Sequence, residues 1–194
     1  MKNSLSRRRF LKASGAIACA LAVPAALTFP IPARAAGQER LVAYFSWSGN
    51  TRSIAKRIHA RVGGDLFEIV PAEAYPSDYD ACVEQARKEQ RAKARPALAS
   101  SVGDMGKYGV MFLGVPNWWS SIPMPVATFL EGHDFSGMVI VPFVSHGGGG
   151  EARCVADMRK ACPGARVLEP LVVRSAGGSS LSRDMDAWLG RLGV

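Results

Sequence analysis

The sequence lacks several features that mark common protein classes. Only four of its 194 residues are cysteine, and no two of them form a CxxC pair, so zinc and iron–sulfur sites are not expected. The triphosphate-binding pattern GxxxxGK[ST] is absent, and no repeat period is visible. With 48% apolar residues, the chain has the length and composition of one globular domain. Disorder and a two-domain organisation are disfavoured.

A strong surplus of charge is also missing outside the first 35 residues. The whole chain has a formal net charge of +8, but residues 1–35 hold six cations and no acid. Removing those six from the 24 Lys and Arg leaves 18 against 16 Asp and Glu, a net charge of +2. A nearly neutral body lacks the electrostatic footprint of a nucleic-acid-binding protein, so no nucleic-acid partner is expected.

Residues 1–35 have the three regions of an export signal. A basic head precedes a modest apolar stretch, Ala13–Phe29, and Ala33-Arg34-Ala35 then predicts cleavage after Ala35. Prolines and many alanines make this stretch short and weakly hydrophobic for a span of about 20 residues, which favours a cleaved signal over a membrane anchor. A lipid anchor at Cys19 is less favoured, because the three residues before it lack the usual leucine.

The basic head has a more specific pattern. Ser6-Arg7-Arg8-Arg9-Phe10-Leu11-Lys12 resembles the twin-arginine consensus, which implies receptor-read export of a protein that has already folded. We therefore expect a periplasmic protein with one domain over residues 36–194 and no stable membrane insertion after cleavage. Cleavage leaves three cysteines, an odd number, so at least one is expected to be unpaired. A Cys154–Cys162 bridge would join two ends of one helix and is disfavoured.

From Leu41 onward, apolar runs alternate with amphipathic segments, which predicts a three-layer α/β domain with a parallel sheet. Strands are predicted at residues 41–45, 66–70, 109–115, from 138, and within 166–173. The first helix is predicted around Ile54, Ala55, Ile58 and Val62, and the second over 77–93, with Tyr79, Cys82, Val83 and Ala86 on its inner face. The third and fourth helices are predicted to begin near Pro125 and near Gly150. The last helix is predicted around Leu181, Met185, Trp188, Leu189 and Leu192. Cys82 is expected to be a small core residue.

The first predicted strand ends in Ser46-Trp47-Ser48-Gly49-Asn50-Thr51, directly before a helix. In open parallel sheets, ligands bind beyond the carboxyl ends of the strands. Here hydroxyl and amide side chains, a glycine and the helix N-terminus together suit a phosphate monoester. The alternative is that Ser48 or Asn50 caps the helix, but a cap needs one such residue rather than a run. The segment is also not GxGxxG.

Two further strand ends carry unusual loops. The third strand ends in Pro116-Asn117-Trp118-Trp119-Ser120. Two adjacent tryptophans there cannot both face the interior, so we expect one to anchor the core and the other to lie at the surface or against a flat ligand. The fourth strand ends in Ser145-His146-Gly147-Gly148-Gly149-Gly150. Its glycines favour close approach of backbone to a ring edge, the alternative being a flexible loop.

The three loops together suit a planar heterocycle joined to one phosphate, for which flavin mononucleotide (FMN) is the candidate. Their residues at 46–51, 116–120 and 145–148 are the candidate cofactor-binding residues, and no catalytic residue or metal ligand is assigned. A lone His146 is more simply a polar loop residue than a catalytic acid.

Over Leu41 to Val194, these segments resemble the flavodoxin family, in particular a bacterial flavodoxin-like subfamily of the short-chain type. The resemblance rests on Ser46-x-Ser48-Gly49-Asn50-Thr51, on Tyr108 to Trp119 and on Pro142 to Gly150. It implies a five-stranded parallel sheet in the order 2-1-3-4-5 with FMN bound non-covalently. Residues 46 and 48–51 would hold the phosphate, Asn117, Trp118 and Trp119 would border the flavin, and Ser145 to Gly148 would line its other edge.

The chain departs from typical flavodoxins in two respects. It lacks their strongly acidic surface, which guides basic partners. Its third loop also has no Tyr or Trp to cover the outer flavin face. The hypotheses are an electron carrier with a redox partner protein, an FMN-dependent NAD(P)H:quinone-type reductase with a small quinone-like acceptor, and a non-redox binding module for another phosphorylated ligand. The carrier is favoured because no convincing acid–base pair lies near the loops.

Overall fold

The computed structural model of the protein describes residues 30–31 and 38–194. The twin-arginine pattern, Cys19 and the predicted cleavage site at Ala35 lie outside these residues, so the export signal stays a prediction. The described part of the chain contains no helix that is long and apolar enough to cross a membrane.

One parallel sheet forms the centre of the domain. Its strands are β1 Glu39–Tyr44, β2 Asp65–Glu68, β3 Tyr108–Pro116, β4 Val139–His146, β5 Arg166–Val167 and β6 Leu171–Arg174. The order is β2-β1-β3-β4-β5, and β6 also pairs with β4. Because β5 and β6 occupy successive stretches of the same edge, the predicted order 2-1-3-4-5 is confirmed.

The second strand ends earlier than predicted, and the fifth strand is divided. The second strand ends at Glu68 instead of residue 70, because Val70 is exposed and Pro71 turns away to pair with Leu98. The fifth strand, predicted within residues 166–173, is present as two short pieces, β5 and β6, with a break between them. Pro170 lies in that break, and proline has no N–H to donate to a strand ladder.

In the described part of the chain, five α-helices cover the two faces of the sheet. They are α1 Asn50–Val62, α2 Tyr79–Ala92, α3 Met124–Glu131, α4 Cys154–Ala161 and α5 Leu181–Leu192, with a 3₁₀ turn at Met105–Lys107. The apolar stripes of α1 and α5 form one core, and those of α3 and α4 form the other. Helix α2 contacts α3. The sequence pattern placed all five, although α4 begins four residues after Gly150.

The inward face of α2 was predicted only in part. Cys82 and Ala86 are buried and Val83 is half-buried, as expected. Tyr79 is 66% exposed, so its assignment to the inner face is wrong. It is the first helical residue, and its ring lies 6.2 Å from that of Trp47 at the carboxyl edge of the sheet instead of over the core.

Three cysteines lie in the described residues, and all are free and buried. Burial raises the pKa of the Cys154 thiol to about 12 and those of Cys82 and Cys162 to about 11. The thiols are therefore neutral at physiological pH. Within residues 30–31 and 38–194 no group of His, Cys, Asp and Glu is placed to hold a metal ion.

Candidate cofactor site

The loop between β1 and α1 leaves the start of the helix open. Gly49 is the N-cap residue, with φ of 85°, and within the described chain no side chain caps the helix. The capping alternative for Ser48 or Asn50 is therefore wrong. The first-turn amides of a helix have no partner inside the helix and form the positive end of its dipole. This N-terminus is thus free to receive an anion.

Ser46 lies three residues before the N-cap residue, in the loop that leads into this helix. Its hydroxyl oxygen is buried and makes no hydrogen bond to any part of the chain that the structure describes. A buried hydroxyl without a partner costs about 1–3 kcal/mol, and this one is available to donate to a ligand atom.

Thr51 connects the first and third predicted loops. It is buried, and its Oγ1 lies 2.8 Å from the Oγ of Ser145, which is also buried. The two hydroxyls satisfy each other at the base of the site. The structure thus brings two segments together that are 94 residues apart in sequence, with the Thr51 hydroxyl bonded to protein and its neighbours in the loop left for a ligand.

Asn117 closes the gap between the loops that follow β3 and β4. Its backbone N–H donates to the Ser145 carbonyl at 2.8 Å, and its amide Nδ2 donates to the Gly150 carbonyl at 2.8 Å. A Cβ on Gly149 would lie 3.3 Å from that Nδ2, so this glycine permits the close approach. A Cβ on Gly147 or Gly148 would meet nothing within 4 Å in the described chain, and these two face open space.

The two tryptophans divide as predicted. Trp118 packs edge-on against Phe45 and Tyr75, with ring centroids 5.2 Å and 5.1 Å apart, and is the core anchor. Trp119 is 43% exposed and lies at the surface. Trp119 is therefore the more exposed of the two indoles at this strand end.

Trp119 and Ser120 form the centre of a tight turn. Trp118 and Ser121 exchange backbone hydrogen bonds of 3.1 Å and 3.0 Å, and both central residues have positive φ, 51° and 63°. That conformation is typical of type I′ turns, where glycine or asparagine usually stands. The turn is tied to α4 by Ser121 Oγ, which donates to Asp157 Oδ2 at 2.5 Å.

An aromatic cleft of about 280 Å³ opens next to this turn. Four of its lining residues were predicted from the loops: Trp47, Asn117, Trp118 and Trp119. The other four come from α2, where the sequence pattern predicts them on the inner face: Tyr79, Cys82, Val83 and Ala86. None of the eight is charged, so the cleft suits a flat uncharged ring. The predicted residues at 48–51 and 145–148 lie outside this lining.

Comparison with known proteins assigns the chain to a family. A family model described as Flavodoxin matches residues 39–191. The chain belongs to the flavodoxin family. A search of curated proteins found no match.

Solved structures agree with this flavodoxin assignment. A candidate flavoprotein from Bacteroides eggerthii is 34% identical, with 81% of this chain and 99% of that one covered and a TM-score of 0.71. One from Bacteroides uniformis is 30% identical, with 79% and 99% covered and a TM-score of 0.69. A flavoprotein from Lactobacillus acidophilus, crystallised with FMN, is 18% identical over 81% and 99%, with a TM-score of 0.62, and shows the shared fold.

An ion pair between Arg52 and Glu68 borders a second cleft near Trp47 in this flavodoxin. Arg52 Nε donates to Glu68 Oε1 at 3.1 Å, and the Tyr44 hydroxyl donates to Glu68 Oε2 at 3.0 Å. Burial, followed by the hydrogen bond to Glu68, raises the pKa of Tyr44. These groups border a second cleft of about 240 Å³ that Ser46 and Trp47 also line. Because Glu68 balances Arg52, the phosphate loop has no free cation from this pair.

A larger cleft of about 360 Å³ lies at the opposite end of the flavodoxin sheet. Its walls include Tyr108, Val139 and Arg166, which begin β3, β4 and β5. It contains none of the predicted site residues. Position at the carboxyl edge, and not size, therefore identifies the candidate site.

Proposed function

We propose that this protein is an FMN-binding electron carrier of the cell envelope. Membership of the flavodoxin family makes FMN its cofactor. One observation carries the fit: the loop that leads into the open helix N-terminus holds the buried, unpartnered Ser46 hydroxyl and also Trp47, which lines an uncharged aromatic cleft. FMN combines one phosphate with one planar ring, and this juxtaposition offers a place for each.

The phosphate fits the start of α1. The first-turn amides of the helix donate to an anion, the helix dipole favours its charge, and Ser46 adds a hydroxyl donor. Ser48 and Asn50 stand at the same loop, and Gly49 has the positive φ that lets the loop fold around a small anion. The loop therefore holds the phosphate mainly through backbone amides and hydroxyls.

The ring fits the aromatic cleft. Trp47 and Trp119 line this cleft, and aromatic systems favour contact with a flat ring in offset or edge-on geometry. When bound, FMN supplies the electron-transfer chemistry. The chain's residues orient it, exclude water from one side, and disfavour added negative charge because the lining is uncharged.

The sparse titratable chemistry of the loops favours a carrier. Among residues 46–51, 116–121 and 145–150, His146 is the only residue with an acid–base side chain. One observation favours the reductase as a second candidate. The Nδ1 of His146 is buried and has no partner in the described chain, so it is available to move a proton to a small acceptor.

The location is part of the proposal. The basic head with Ser6-Arg7-Arg8-Arg9-Phe10-Leu11-Lys12 and the following apolar stretch support twin-arginine export to the periplasm. Export of a folded holoprotein suits a cofactor that is made in the cytoplasm and held without a covalent bond.

The deciding experiment is an absorbance spectrum of exported protein purified without added flavin. We expect flavin bands in the near-ultraviolet and blue, released as FMN on denaturation. Colourless protein that also ignores excess FMN would overturn the proposal and favour the non-redox binding module. Oxidation of NADPH or NADH with a quinone by the purified protein would favour the reductase, whereas reduction and oxidation only by a protein partner would favour the carrier.

A further inference from the structure

The wall that Trp119 forms needs support from outside its own turn. Both Trp119 and Ser120 adopt left-handed backbone conformations, which cost a residue with a side chain about 1–3 kcal/mol when strained. The indole is also 43% exposed, so core packing does not fix it. Its position in the cleft must therefore depend on specific contacts.

Helix α2 supplies these contacts from one face. The indole Nε1 of Trp119 donates to the Val83 carbonyl at 3.0 Å, and Gln90 Nε2 donates to the Trp119 carbonyl at 3.2 Å and the Trp118 carbonyl at 3.4 Å. The Arg87 guanidinium carbon lies 5.5 Å from the Trp119 ring centroid. Residues 83, 87 and 90 are spaced four and three apart, so they share one helix face.

Arg87 has little other role in the described structure. Its Nε is buried and makes no hydrogen bond there, and its ion pair with Glu84 is long, 3.5 Å, with both side chains partly exposed. Such a pair contributes little. A cation over an indole face contributes about 0.5–1 kcal/mol at an exposed site and more when it is desolvated. The Trp119 ring is therefore the main partner of this guanidinium.

We propose that Arg87 and Gln90 are positioning residues that hold Trp119 against α2 and so set the shape of the flavin cleft. They act through Trp119 and need not touch the cofactor. The effect on FMN binding rests on the proposed function, because it requires that the protein binds FMN. The position of Trp119 itself is measurable without any cofactor.

The test compares Arg87→Met and Gln90→Ala with Lys88→Gln, which removes one charge from an exposed position of the same helix. In cofactor-free protein, we expect the first two variants to shift tryptophan emission to longer wavelength as the indole moves into water. The shift should vanish in a Trp119→Phe background. Arg87→Lys should restore most of the wild-type emission, because it returns the cation.

FMN titration supplies the second measurement. Arg87→Met and Gln90→Ala should each weaken FMN binding about five-fold, equivalent to about 1 kcal/mol, and shift the bands of bound flavin, while Lys88→Gln leaves both unchanged. Normal far-ultraviolet circular dichroism checks folding. Unchanged emission in both variants, or a shift that persists in the Trp119→Phe background, would overturn the positioning role. Failure of wild-type protein to bind FMN would overturn the proposed function alone, because the emission test stands without it.

Discussion

At the scale of single residues, the site is built from polar atoms with very different surroundings. The Ser46 hydroxyl is buried without a partner in the described chain, whereas the Thr51 and Ser145 hydroxyls are buried and paired with each other. The sequence pattern assigned all three to one cofactor site. It had no means to distinguish them, because pairing across 94 residues depends on the strand order and not on local sequence.

Ser46→Ala should have opposite effects on stability and on FMN binding. Removing a buried hydroxyl that has no partner in the described residues leaves the free energy of unfolding of the cofactor-free protein unchanged or raises it. Losing a donor to phosphate should weaken FMN affinity about ten-fold, since a hydrogen bond to a charged group contributes about 1.5–3 kcal/mol. Urea unfolding and fluorescence titration measure the two effects, with Ser101→Ala as the exposed control. Unchanged affinity would remove Ser46 from the phosphate site.

Thr51→Val should destabilise the protein even without cofactor. The variant leaves the buried Ser145 hydroxyl without its partner, at a cost of about 1–3 kcal/mol. Combining it with Ser145→Ala should recover part of this loss, because both partners of the hydrogen bond are then gone. A double-mutant cycle in urea measures the coupling, and simple additivity of the two single changes would contradict the link between the loops.

At the scale of elements, alternation of apolar runs and amphipathic stripes predicted the sheet and the helices. It gave no sign of the break that contains Pro170, between β5 and β6. It also wrongly assigned Tyr79, which continues the helical stripe, to the inner face. The contribution of α2 to the cleft was also missed. Its polar residues Arg87 and Gln90 look like a solvated face, and only the position of the Trp119 turn gives them a role.

Ser120→Gly should stabilise the Trp118–Ser121 turn. Ser120 has φ of 63°, a region that glycine adopts without the penalty of a Cβ, and the side chain is exposed. We expect the free energy of unfolding to rise by about 0.5–1 kcal/mol in urea. Ser121→Gly, at a buried position bonded to Asp157, should lower it and serves as the contrast. Destabilisation by Ser120→Gly would mean that the serine side chain supports the turn.

At the scale of the whole molecule, the family and the strand order follow from the sequence pattern, and the structure adds the pairing of distant groups. Part of the predicted signal also contacts the domain. The Ile31 side chain is buried with the α1 and α5 core, and its N–H donates to the Leu192 carbonyl at 3.0 Å. Residue composition at the N-terminus gave no indication of this contact.

The protein should lose stability at alkaline pH. Burial raises the pKa of the Cys154 thiol from its ordinary 9.0 to about 12, so the folded state keeps a proton that the unfolded state releases. This contribution is fully present below pH 9 and is lost as pH rises toward about 12. Urea unfolding at a series of alkaline pH values from pH 8 upward measures how the free energy of unfolding falls with pH. We expect Cys154→Ala to make this pH dependence shallower. An equal slope in the variant would refute burial of this thiol as a cause.

Both margins of the sheet are short. On one edge, β2 has only four residues, and Pro71 follows soon after its end. On the other edge, β5 and β6 are separated by a break that contains Pro170. Another chain that pairs with either edge strand therefore finds an interrupted row of backbone N–H and C=O groups. At high protein concentration, we therefore expect this protein to resist fibril formation by edge-to-edge strand pairing.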